Sequence, residues 1–397
     1  MEEVKIVQND VFRESGVTAT LEFNVLRGKD KIGENLIEIT YGCTKILVEL
    51  GKSLEGGDEQ FEQEILSKSY SAVVVSHYHE DHAGLIKYKR DCPIYIGVGA
   101  CRIVKAMSDF CGEELPSNIK TYRNGRPFSI GGITVNPFLC DHSAFDSYML
   151  LFEAGGKSIL YTGDFRFHGR LDKRRLLAAL PKSIDVLIHE GTNIGNAKPC
   201  FSERELEEKL VEIMRQNEKP VFVLQSGSNI DRLVSVYRAA KRSGRILYED
   251  IYVASIASAA GGKIPRPDIF PDVYAFTPRV LRGKRKNMFF EIENKRGLKG
   301  IASGKKFVMI VRPSMLRYME KLYNAVDLPG STLVYSIWSG YKKDAETSKF
   351  LKYASDMYID IVDIHTSGHA TEQDIELLKH TVNPTQSICV HTEKMIL

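Results

Sequence analysis

The first half of the chain alternates short apolar runs with polar turns and with longer amphipathic segments. The runs at residues 72–75, 133–135 and 158–162 have the length and composition of buried strands. Strands of this kind need a further layer to cover their apolar faces. From residue 1 to about 195, the pattern therefore predicts a sandwich of sheets covered by helices.

The pattern changes near residue 200, where strand and helix periods begin to alternate. Ser202 and Glu205 have the spacing of a capping box, and apolar residues follow at helical intervals. An apolar run at 220–224, a polar loop at 225–229 and a second helical period come next. Repeated strand–loop–helix units indicate a parallel sheet. The chain as a whole is thus predicted to be an α/β protein with two kinds of sheet.

Four metal-ligand side chains lie within six positions directly after the run at 72–75. They are His77, His79, Asp81 and His82. In the exit loop of a strand, the first two residues can reach one ion and the last two a second ion. Imidazole nitrogens and carboxylate oxygens suit zinc, with manganese and iron as alternatives. Because the chain has only 10 histidines, chance is a poor explanation of this spacing.

Three later segments place further ligand-type residues at the ends of apolar runs. His142, with Asp141 beside it, follows the run that ends at Cys140, and Asp164 and His391 follow two other runs. In layered α/β folds, strand ends that meet at one edge are where sites are built. The sequence therefore predicts that these residues complete two metal sites.

The ordered residues His77-x-His79-x-Asp81-His82, His142, Asp164 and His391 resemble the motifs of the metallo-β-lactamase superfamily. Residues 227–232 (Gly-Ser-Asn-Ile-Asp-Arg) and 367–370 (Ser-Gly-His-Ala) are similar to signatures of its β-CASP nuclease branch, and within it of the ribonuclease J family. The resemblance implies an αββα sandwich with an inserted β-CASP α/β domain. The expected divisions are residues 1–195 for the first part of the sandwich, 196–345 for the insert and 346–397 for the return.

The resemblance also implies two zinc ions, with manganese as the alternative, and a role for each ligand. One ion is expected on His77, His79 and His142, and the other on Asp81, His82 and His391. Asp164 is expected to bridge the two ions. Two such cations activate a water molecule for attack on a phosphodiester, with Asp81 counted among the catalytic groups. His369 is expected to donate a proton to the leaving oxygen, with Glu190 as its orienting carboxylate.

Two loops are expected to hold a terminal phosphate through free backbone N–H groups and small hydroxyls. The residues concerned are Ser228, Asn229, Ser367, Gly368 and His369. In ribonuclease J, matching loops hold a 5′-monophosphate. The alternative is that Ser228 and Ser367 only cap helices.

Four functions fit the motifs to different degrees. The favoured one is a zinc-dependent ribonuclease that hydrolyses single-stranded RNA as a 5′-exonuclease, an endonuclease or both. A DNA 5′-exonuclease is the alternative, and His391, where the DNA-directed branch tends to have valine, favours RNA. A hydrolase of small esters, lactones or thioesters would not need an inserted domain. A non-catalytic RNA-binding subunit would not need a complete set of ligands.

Charge and composition add little to this picture. The net charge is only +3, but residues 279–306 contain ten lysines and arginines against two glutamates, with Phe289 and Phe290 among them. This segment is either a nucleic-acid groove or a solvated loop. No apolar run approaches eighteen residues, the N-terminus lacks a signal sequence, and the seven cysteines form no C-x-x-C pair. We therefore expect a cytoplasmic protein without membrane contact, assembled as a homodimer.

Overall fold

Three six-stranded sheets form the framework of the protein. A computed structural model describes residues 19–53, 56, 58–196, 200–278, 292, 294–303 and 306–393. Of the cationic segment at 279–306 that was noted in the sequence, residues 279–291, 293, 304 and 305 lie outside these residues. Within the described part of the chain, no helix combines the length and the apolar character needed to cross a bilayer.

The first sheet follows the order of the chain, as expected when each strand pairs with the next one. Its strands are β1 (Glu22–Arg27), β2 (Leu36–Tyr41), β3 (Thr44–Val48), β4 (Ala72–Val74), β5 (Ile94–Gly97) and β6 (Ile119–Tyr122). The first three strands are antiparallel, and β3 to β6 are parallel. The carboxyl ends of β3 and β4 therefore meet at one edge.

The second sheet has the order β18-β11-β10-β9-β8-β7, so the last strand of the chain completes it. Its strands are β7 (Phe128–Ile130), β8 (Ile133–Cys140), β9 (Ser147–Ala154), β10 (Lys157–Tyr161), β11 (Ile184–Glu190) and β18 (Pro384–Val390). Strands β10, β11 and β18 run parallel. Their carboxyl ends bring the residues after Tyr161, Glu190 and Val390 to the same edge.

The third sheet lies between β11 and β18 in the sequence and is parallel throughout. In spatial order its strands are β14 (Val273–Phe276), β13 (Ile246–Asp250), β15 (Phe307–Val311), β12 (Val221–Leu224), β16 (Thr332–Tyr335) and β17 (Asp360–Asp363). This confirms the parallel sheet predicted from the strand–loop–helix repeats.

Helices cover the outer faces of the sheets. In the described residues they are α1 (Glu59–Ser67), α2 (Glu80–Ala83), α3 (Val98–Cys111), α4 (Lys173–Ala179), α5 (Glu203–Gln216), α6 (Ile230–Arg242), α7 (Ile251–Ala260), α8 (Leu298–Ala302), α9 (Leu316–Tyr323), α10 (Ala345–Asp356) and α11 (Glu372–Val382). The predicted capping box at Ser202 and Glu205 is confirmed at the start of α5.

The packing confirms the α/β fold class and its layered sandwich. One apolar core lies between the first and second sheets, where Ile46 and Val74 share a cluster with Phe152 and Ile188. A second core joins the outer face of the first sheet to α1, α3 and the helices of the inserted unit. A third core packs α4 and α11 on the second sheet. Helices thus flank the two sheets on both sides.

The inserted unit extends further than the predicted boundary at residue 345. Strand β17 pairs with β16, and Phe350 and Ala354 of α10 pack into the core of the third sheet. The apolar face of α10 and an unfilled sheet edge explain this extension. Residues up to Asp363 therefore belong with the third sheet, while the division into domains itself stays a prediction.

The composition of residues 254–263, rich in Ala, Ser and Gly, predicts a mobile loop, and this prediction is wrong for most of the stretch. Helix α7 covers residues up to Ala260, and Asp250 caps it by accepting a hydrogen bond from the Val253 N–H. Ala254 and Ala257 are buried against the core that also contains α3. Small residues here allow close packing of helices rather than flexibility.

A buried ion pair links two helices of the inserted unit. Arg232 in α6 and Glu203 in α5 are fully buried and lie 3.0 Å apart. Arg232 also donates to the backbone oxygen of Ser336 at 2.8 Å. Removing one partner of such a pair leaves an uncompensated charge in the interior, which is strongly destabilising.

We expect Arg232→Leu to lower the free energy of unfolding by about 3–5 kcal/mol, because Glu203 loses a buried cationic partner. Arg238→Leu, on the same helix, is the matched control. The Arg238 side chain is 57% exposed, and its ion pair with Glu207 is long, at 3.8 Å. Urea titrations of both variants measure the difference. Equal midpoints for the two variants would contradict a stabilising role for the buried pair.

Candidate metal centre

The His/Asp motif lies where strand β4 leaves the first sheet. His77 and His79 are in the extended loop after β4, and His79 is the residue that precedes α2. Asp81 and His82 are in the first turn of α2 and are buried. The change from extended loop to helix turns the two pairs of side chains toward two neighbouring positions.

The first group of ligand-type atoms combines three histidines and one carboxylate. It consists of His77, His79, His142 and Asp164. His142 Nε2 lies 3.1 Å from His79 Nδ1 and 3.9 Å from Asp164 Oδ2. His77 Nε2 lies 3.8 Å from the same carboxylate oxygen. The group thus joins the loop after β4 to the ends of β8 and β10.

The second group shares Asp164 with the first. Its members are Asp81, His82, Asp164 and His391. His391 Nε2 lies 3.0 Å from Asp81 Oδ2, and His82 Nε2 lies 3.2 Å from Asp164 Oδ2. All seven ligand-type residues predicted from the sequence therefore converge, with Asp164 between the two groups.

The centre of the two groups has the properties of a cation site. His77 Nε2 and both oxygens of Asp164 are buried and have no hydrogen-bond partner among the described residues. Ring nitrogens lie 3.2–3.9 Å from Asp164 Oδ2 without hydrogen-bond geometry. Ligands of a tetrahedral zinc ion are about 3.3 Å apart, so this spacing fits. A bound cation would satisfy atoms whose burial is otherwise costly.

Protonation in the first group also suits metal binding. Burial lowers the pKa of His77 and of His142 well below 6.5, so both rings are neutral, the form that binds metals. Burial by itself raises the pKa of Asp164. The histidines around it, foremost His391 and His82, outweigh this and hold the pKa of Asp164 well below its usual range. In this group, the neutral rings of His77 and His142 thus lie beside an ionised carboxylate.

Three histidines are oriented by a hydrogen bond to the ring nitrogen that faces away from the centre. Gly368 O accepts from His142 Nδ1 at 2.6 Å, and Thr192 Oγ1 lies 2.7 Å from His391 Nδ1. Ser76 Oγ lies 3.0 Å from His77 Nδ1. Outer contacts of this kind fix the ring orientation of metal-binding histidines. Thr192 and Ser76 carry no sequence signal for this role.

Glu49 is a residue of the site that the sequence analysis missed. It follows β3, and its Oε1 lies 3.3 Å from His82 Nδ1. Its carboxylate also accepts from the Ser76 N–H at 3.1 Å. Glu49 and His391 both have a positive φ, 65° and 54°, a conformation that is strained for such residues. An acidic residue after an apolar run was the available signal, but no spacing linked it to His82.

His369 and Glu190 lie together beside the two groups, as the sequence predicted. His369 Nδ1 is 3.1 Å from Glu190 Oε2 and 3.6 Å from Asp164 Oδ2. Glu190 Oε1 accepts backbone hydrogen bonds from Phe165 and Ala370. Burial lowers the pKa of His369, but the two carboxylates outweigh it and bring the pKa to about 9. The ring is therefore protonated at neutral pH.

His369 and Glu190 form a third possible group of ligands with Asp164 and His391. Each of the two groups described above contains residues of the His/Asp motif at 77–82, whereas the third group contains none. The His369 side chain is also 22% exposed, against 2% for Asp164, so it borders the opening of the site. The position of His369 therefore favours contact with substrate over a role as a metal ligand.

Asp141, adjacent to His142, is not part of the centre. Its carboxylate lies 2.7 Å from Arg166 Nε and accepts from the Leu171 N–H. Of this adjacent pair of residues, only His142 is among the predicted ligands. A strand alternates its side chains between faces, so neighbouring residues at a strand end point in opposite directions.

The two predicted phosphate loops are held in different ways. Tyr78, between two of the histidines, donates its hydroxyl hydrogen to Ser228 O at 2.8 Å, which fixes the 225–229 loop beside the centre. Asn229 caps α6 by accepting from the Arg232 N–H. Ser367 Oγ accepts from the backbone of His369 and from Asn193.

The alternative that Ser228 and Ser367 only cap helices is wrong. Asn229 is the capping residue of α6, and Thr371 is that of α11. Gly368 is closely packed, since a Cβ there would lie 2.6 Å from Ser143 Oγ. The segment 367–369 therefore lies ahead of α11 and against the centre, not at the helix start.

Comparisons with known proteins agree with this geometry. A profile of the beta-lactamase superfamily domain matches residues 47–217. Ribonuclease J 1 of Streptococcus pyogenes serotype M3 is 22% identical over 92% of this chain and 67% of its own length. Ribonuclease J of Mycobacterium tuberculosis is 26% identical over 57% of this chain and 43% of its own length.

Ribonuclease J of Mycoplasma genitalium is 22% identical over 92% of this chain, which spans 67% of that protein. A crystal structure of a protein of unknown function from Enterococcus faecalis V583 covers 95% of both chains, with a TM-score of 0.75 and 20% identity. That likeness supports the fold. Taken with the converging motifs, these matches support the metallo-β-lactamase superfamily and a likeness to ribonuclease J.

Proposed function

We propose that this protein is a metal-dependent ribonuclease that hydrolyses phosphodiester bonds of single-stranded RNA. The observation that carries the proposal is the convergence of six ligand-type residues on Asp164, with His369 and Glu190 beside them. The ribonuclease J names of the similar proteins support RNA as the substrate. DNA cleavage at the 5′ end is the alternative that the same geometry allows.

The proposed metals are two zinc ions, with manganese as the alternative. His77, His79 and His142 would hold one ion, Asp81, His82 and His391 would hold the other, and Asp164 would contact both. Bound there, the cations would supply Lewis-acid chemistry, polarising a phosphodiester and acidifying a water molecule. The chain itself contributes orientation, since Thr192, Gly368 and Ser76 fix the histidine rings.

His369 is proposed to supply the proton that the leaving ribose oxygen needs. Its pKa of about 9 keeps it protonated at neutral pH, and Glu190 Oε2 at 3.1 Å holds the ring by its Nδ1 side. Glu190 is in turn fixed by two backbone N–H groups. Glu190 can therefore orient His369 and favour its return to the protonated state after each proton transfer. These are the properties that a general acid needs.

Polar and aromatic groups near the centre support a nucleic-acid substrate. Gln225 begins the loop at 225–229, is 2% exposed, and neither of its amide atoms has a hydrogen-bond partner among the described residues. A ligand would satisfy both atoms. Trp338 and Tyr341 are 62% and 43% exposed and form an edge-to-face pair at 5.4 Å. Burial and then the charge of Asp81 raise the pKa of Tyr341, which indicates that this pair lies near the motif.

A substrate with a 5′-monophosphate fits the region between the loops at 225–229 and 366–369. Ser228, Asn229, Ser367 and Gly368 supply small side chains and backbone groups there, and Tyr78 keeps the first loop beside the histidines. A phosphate lodged at this place would set the first linkages next to Asp164. This arrangement favours removal of nucleotides from the 5′ end, in addition to any internal cleavage.

A hydrolase of small esters, lactones or thioesters is a weaker alternative. The loop at 225–229 of the inserted unit lies beside the centre, where Tyr78 contacts it. A small substrate does not need this additional surface. A cytoplasmic location and a homodimeric assembly stay predictions from the sequence.

The first test is metal content. We expect about two zinc ions per chain in the purified protein and the loss of both in Asp164→Ala, because this carboxylate contacts both groups. Asp327→Ala is the matched control, since its carboxylate is exposed on the inserted unit. Elemental analysis after dialysis measures the content. A single tightly held ion in the wild type would rule out the dinuclear arrangement.

The second test concerns activity and the role of His369. Metal-loaded wild type is incubated with end-labelled RNA and with DNA of the same sequence, and the product ladder is compared with that of His369→Ala. We expect RNA cleavage that falls by roughly 10²–10⁴-fold in the variant, because the leaving oxygen loses its proton donor. Metal content should stay near that of the wild type.

Two outcomes would contradict these assignments. Loss of metal in His369→Ala would make this residue a ligand, as the third group of candidate ligands allows. Cleavage of DNA with RNA left intact would replace the proposed ribonuclease by the DNA-directed alternative. His380→Ala, on α11, serves as a control for a histidine that the centre does not use.

The third test concerns the 5′ end. We expect faster degradation of RNA with a 5′-monophosphate than with a triphosphate or a hydroxyl. Ser228→Glu should weaken this preference, because a carboxylate there would repel the phosphate. Ser355→Glu adds the same charge on the exposed side of α10 and should leave the preference intact. Equal rates for all three ends, unchanged in Ser228→Glu, would contradict a phosphate site at this loop.

A further inference from the structure

A second cluster of reactive side chains lies outside the metal centre. Cys200 Sγ is 3.1 Å from His168 Nε2, and His168 Nδ1 is 3.6 Å from Asp374 Oδ2. None of the three residues belongs to a group of candidate metal ligands. A thiol, an imidazole and a carboxylate in this order form the arrangement that activates a sulfur nucleophile.

The charges around this cluster favour a thiolate paired with an imidazolium. Burial lowers the pKa of His168, but the contacts with Asp374 and Cys200 outweigh this effect and bring the pKa to about 9. Burial raises the pKa of Cys200, and the contacts with His168 and Thr366 outweigh it, so that this pKa lies below its ordinary value.

The other charged groups near the cluster are already paired. Arg166 donates to Ser367 O, the same oxygen that His168 Nε2 approaches at 2.9 Å, and its charge is balanced by Asp141 and Asp231. Glu203, near Cys200 in the chain, is paired with Arg166 and with Arg232 at the base of α6. Asp374 from α11 is thus the carboxylate that faces His168 directly.

We propose that Cys200 is a reactive thiol that exchanges with small disulfides, and that its modification displaces the segment at 365–369 that carries His369. The first half of the proposal is independent of the ribonuclease function. The displacement of the segment rests on the ribonuclease function only where nuclease activity is what is measured. The ligand class is a low-molecular-weight disulfide, which a half-buried sulfur can meet from solvent.

The exchange is a simple displacement at sulfur. The Cys200 thiolate attacks one sulfur of the disulfide, a new sulfur–sulfur bond forms, and the original one breaks. The second sulfur leaves as a thiolate with the electron pair and takes a proton from solvent. The protein sulfur is oxidised and the departing one is reduced, so no further oxidant is required. A thiol reductant reverses the step.

The segment at 365–369 connects this cysteine to the metal centre. Thr366 Oγ1 lies 3.4 Å from Cys200 Sγ and also donates to Phe201 O. Ser367 O approaches the His168 ring, and Gly368 O accepts from His142 Nδ1 at 2.6 Å. A group attached to Cys200 must enter the space between Thr366 and His168. It would therefore shift the backbone that positions His142 and His369.

The remaining cysteines supply internal controls. Cys43 and Cys111 are exposed and lie outside this cluster, so they report the reactivity of accessible thiols. Cys140 is buried, and burial raises its pKa well above 9.0, so it reports inert thiols. Differences between Cys200 and these residues within one protein sample do not depend on folding or concentration.

The test is a labelling experiment on the full chain. The protein is treated with iodoacetamide at pH 6.5, and peptide mass spectrometry follows each cysteine with time. We expect Cys200 to react on the order of ten times faster than Cys43 and Cys111, because more of it is thiolate. His168→Gln keeps a donor for Ser367 O but removes the ring charge, and it should bring the Cys200 rate down to that of the exposed cysteines.

A Cys200 rate equal to or below that of Cys43 and Cys111 would overturn the proposal, and so would an unchanged rate in His168→Gln. Displacement is tested by treating the wild type with glutathione disulfide and measuring hydrogen exchange. We expect faster exchange at 365–369, reversed by dithiothreitol and absent in Cys200→Ser. Unchanged exchange in the modified protein would overturn the coupling.

An activity measurement then separates this proposal from the proposed function. If the protein degrades RNA, glutathione disulfide should lower the rate in the wild type and leave Cys200→Ser unaffected. Loss of rate in both proteins would assign the inhibition to another residue and contradict the coupling. Absence of nuclease activity in the untreated protein would contradict the proposed function alone, because labelling and exchange are measured without RNA.

Discussion

The buried guanidinium of Arg166 connects the parts of the molecule that must keep a fixed geometry. It contacts Asp141 at the end of β8, Asp231 in α6 and the backbone oxygen of Ser367. These partners belong to the sandwich, to the inserted unit and to the returning segment. Burying a guanidinium is costly unless all its donors are used, so the three parts are held in one relative arrangement. Motion of any of them would expose or unpair this charge.

The candidate metal centre depends on that arrangement for its accuracy. Two groups of ligand-type atoms share Asp164, and their rings are held from outside by Ser76, Thr192 and Gly368. Gly368 lies next to Ser367, so the Arg166 contact also positions the carbonyl that orients His142. An error of about 1 Å at such sites is enough to lower activity strongly. Burying Arg166 costs free energy, but it holds the backbone that orients His142 in the position that the site requires.

The inserted unit forms part of the surroundings of this centre. Tyr78 places its hydroxyl against the loop at 225–229, so the insert borders the histidines directly. Exposed aromatic side chains at Trp338 and Tyr341 and the unsatisfied amide of Gln225 belong to the same unit. A polymer that stacks its bases and presents phosphates can use such features, whereas a small ester can use few of them. The Cys200 cluster contacts Thr366 and Ser367 in the segment that carries His369, and the chemistry proposed for it is separate from that of the centre.

The sequence by itself determined the ligand set, because strand-end positions and their residue types are local properties. The runs before His77, His142, Asp164 and His391 predicted strands, and the structure brings their ends together. A sandwich of sheets covered by helices and the parallel third sheet also followed from hydrophobic periods, and the family resemblance implied the αββα order of the layers. Glu49, Thr192 and the pairing of Asp141 with Arg166 did not follow, because each depends on which segments meet across long distances in the chain.

The third sheet continues past residue 345, and the loop predicted at 254–263 was wrong, for the same reason. Strand β17 joins the third sheet because β16 leaves an open edge there, and α7 is a helix because a core surrounds it. Neither condition is visible in a short stretch of sequence. Local patterns determined which residues carry the chemistry. Only tertiary packing decided which carboxylate orients which histidine, because that choice is made by distances between segments that the sequence keeps far apart.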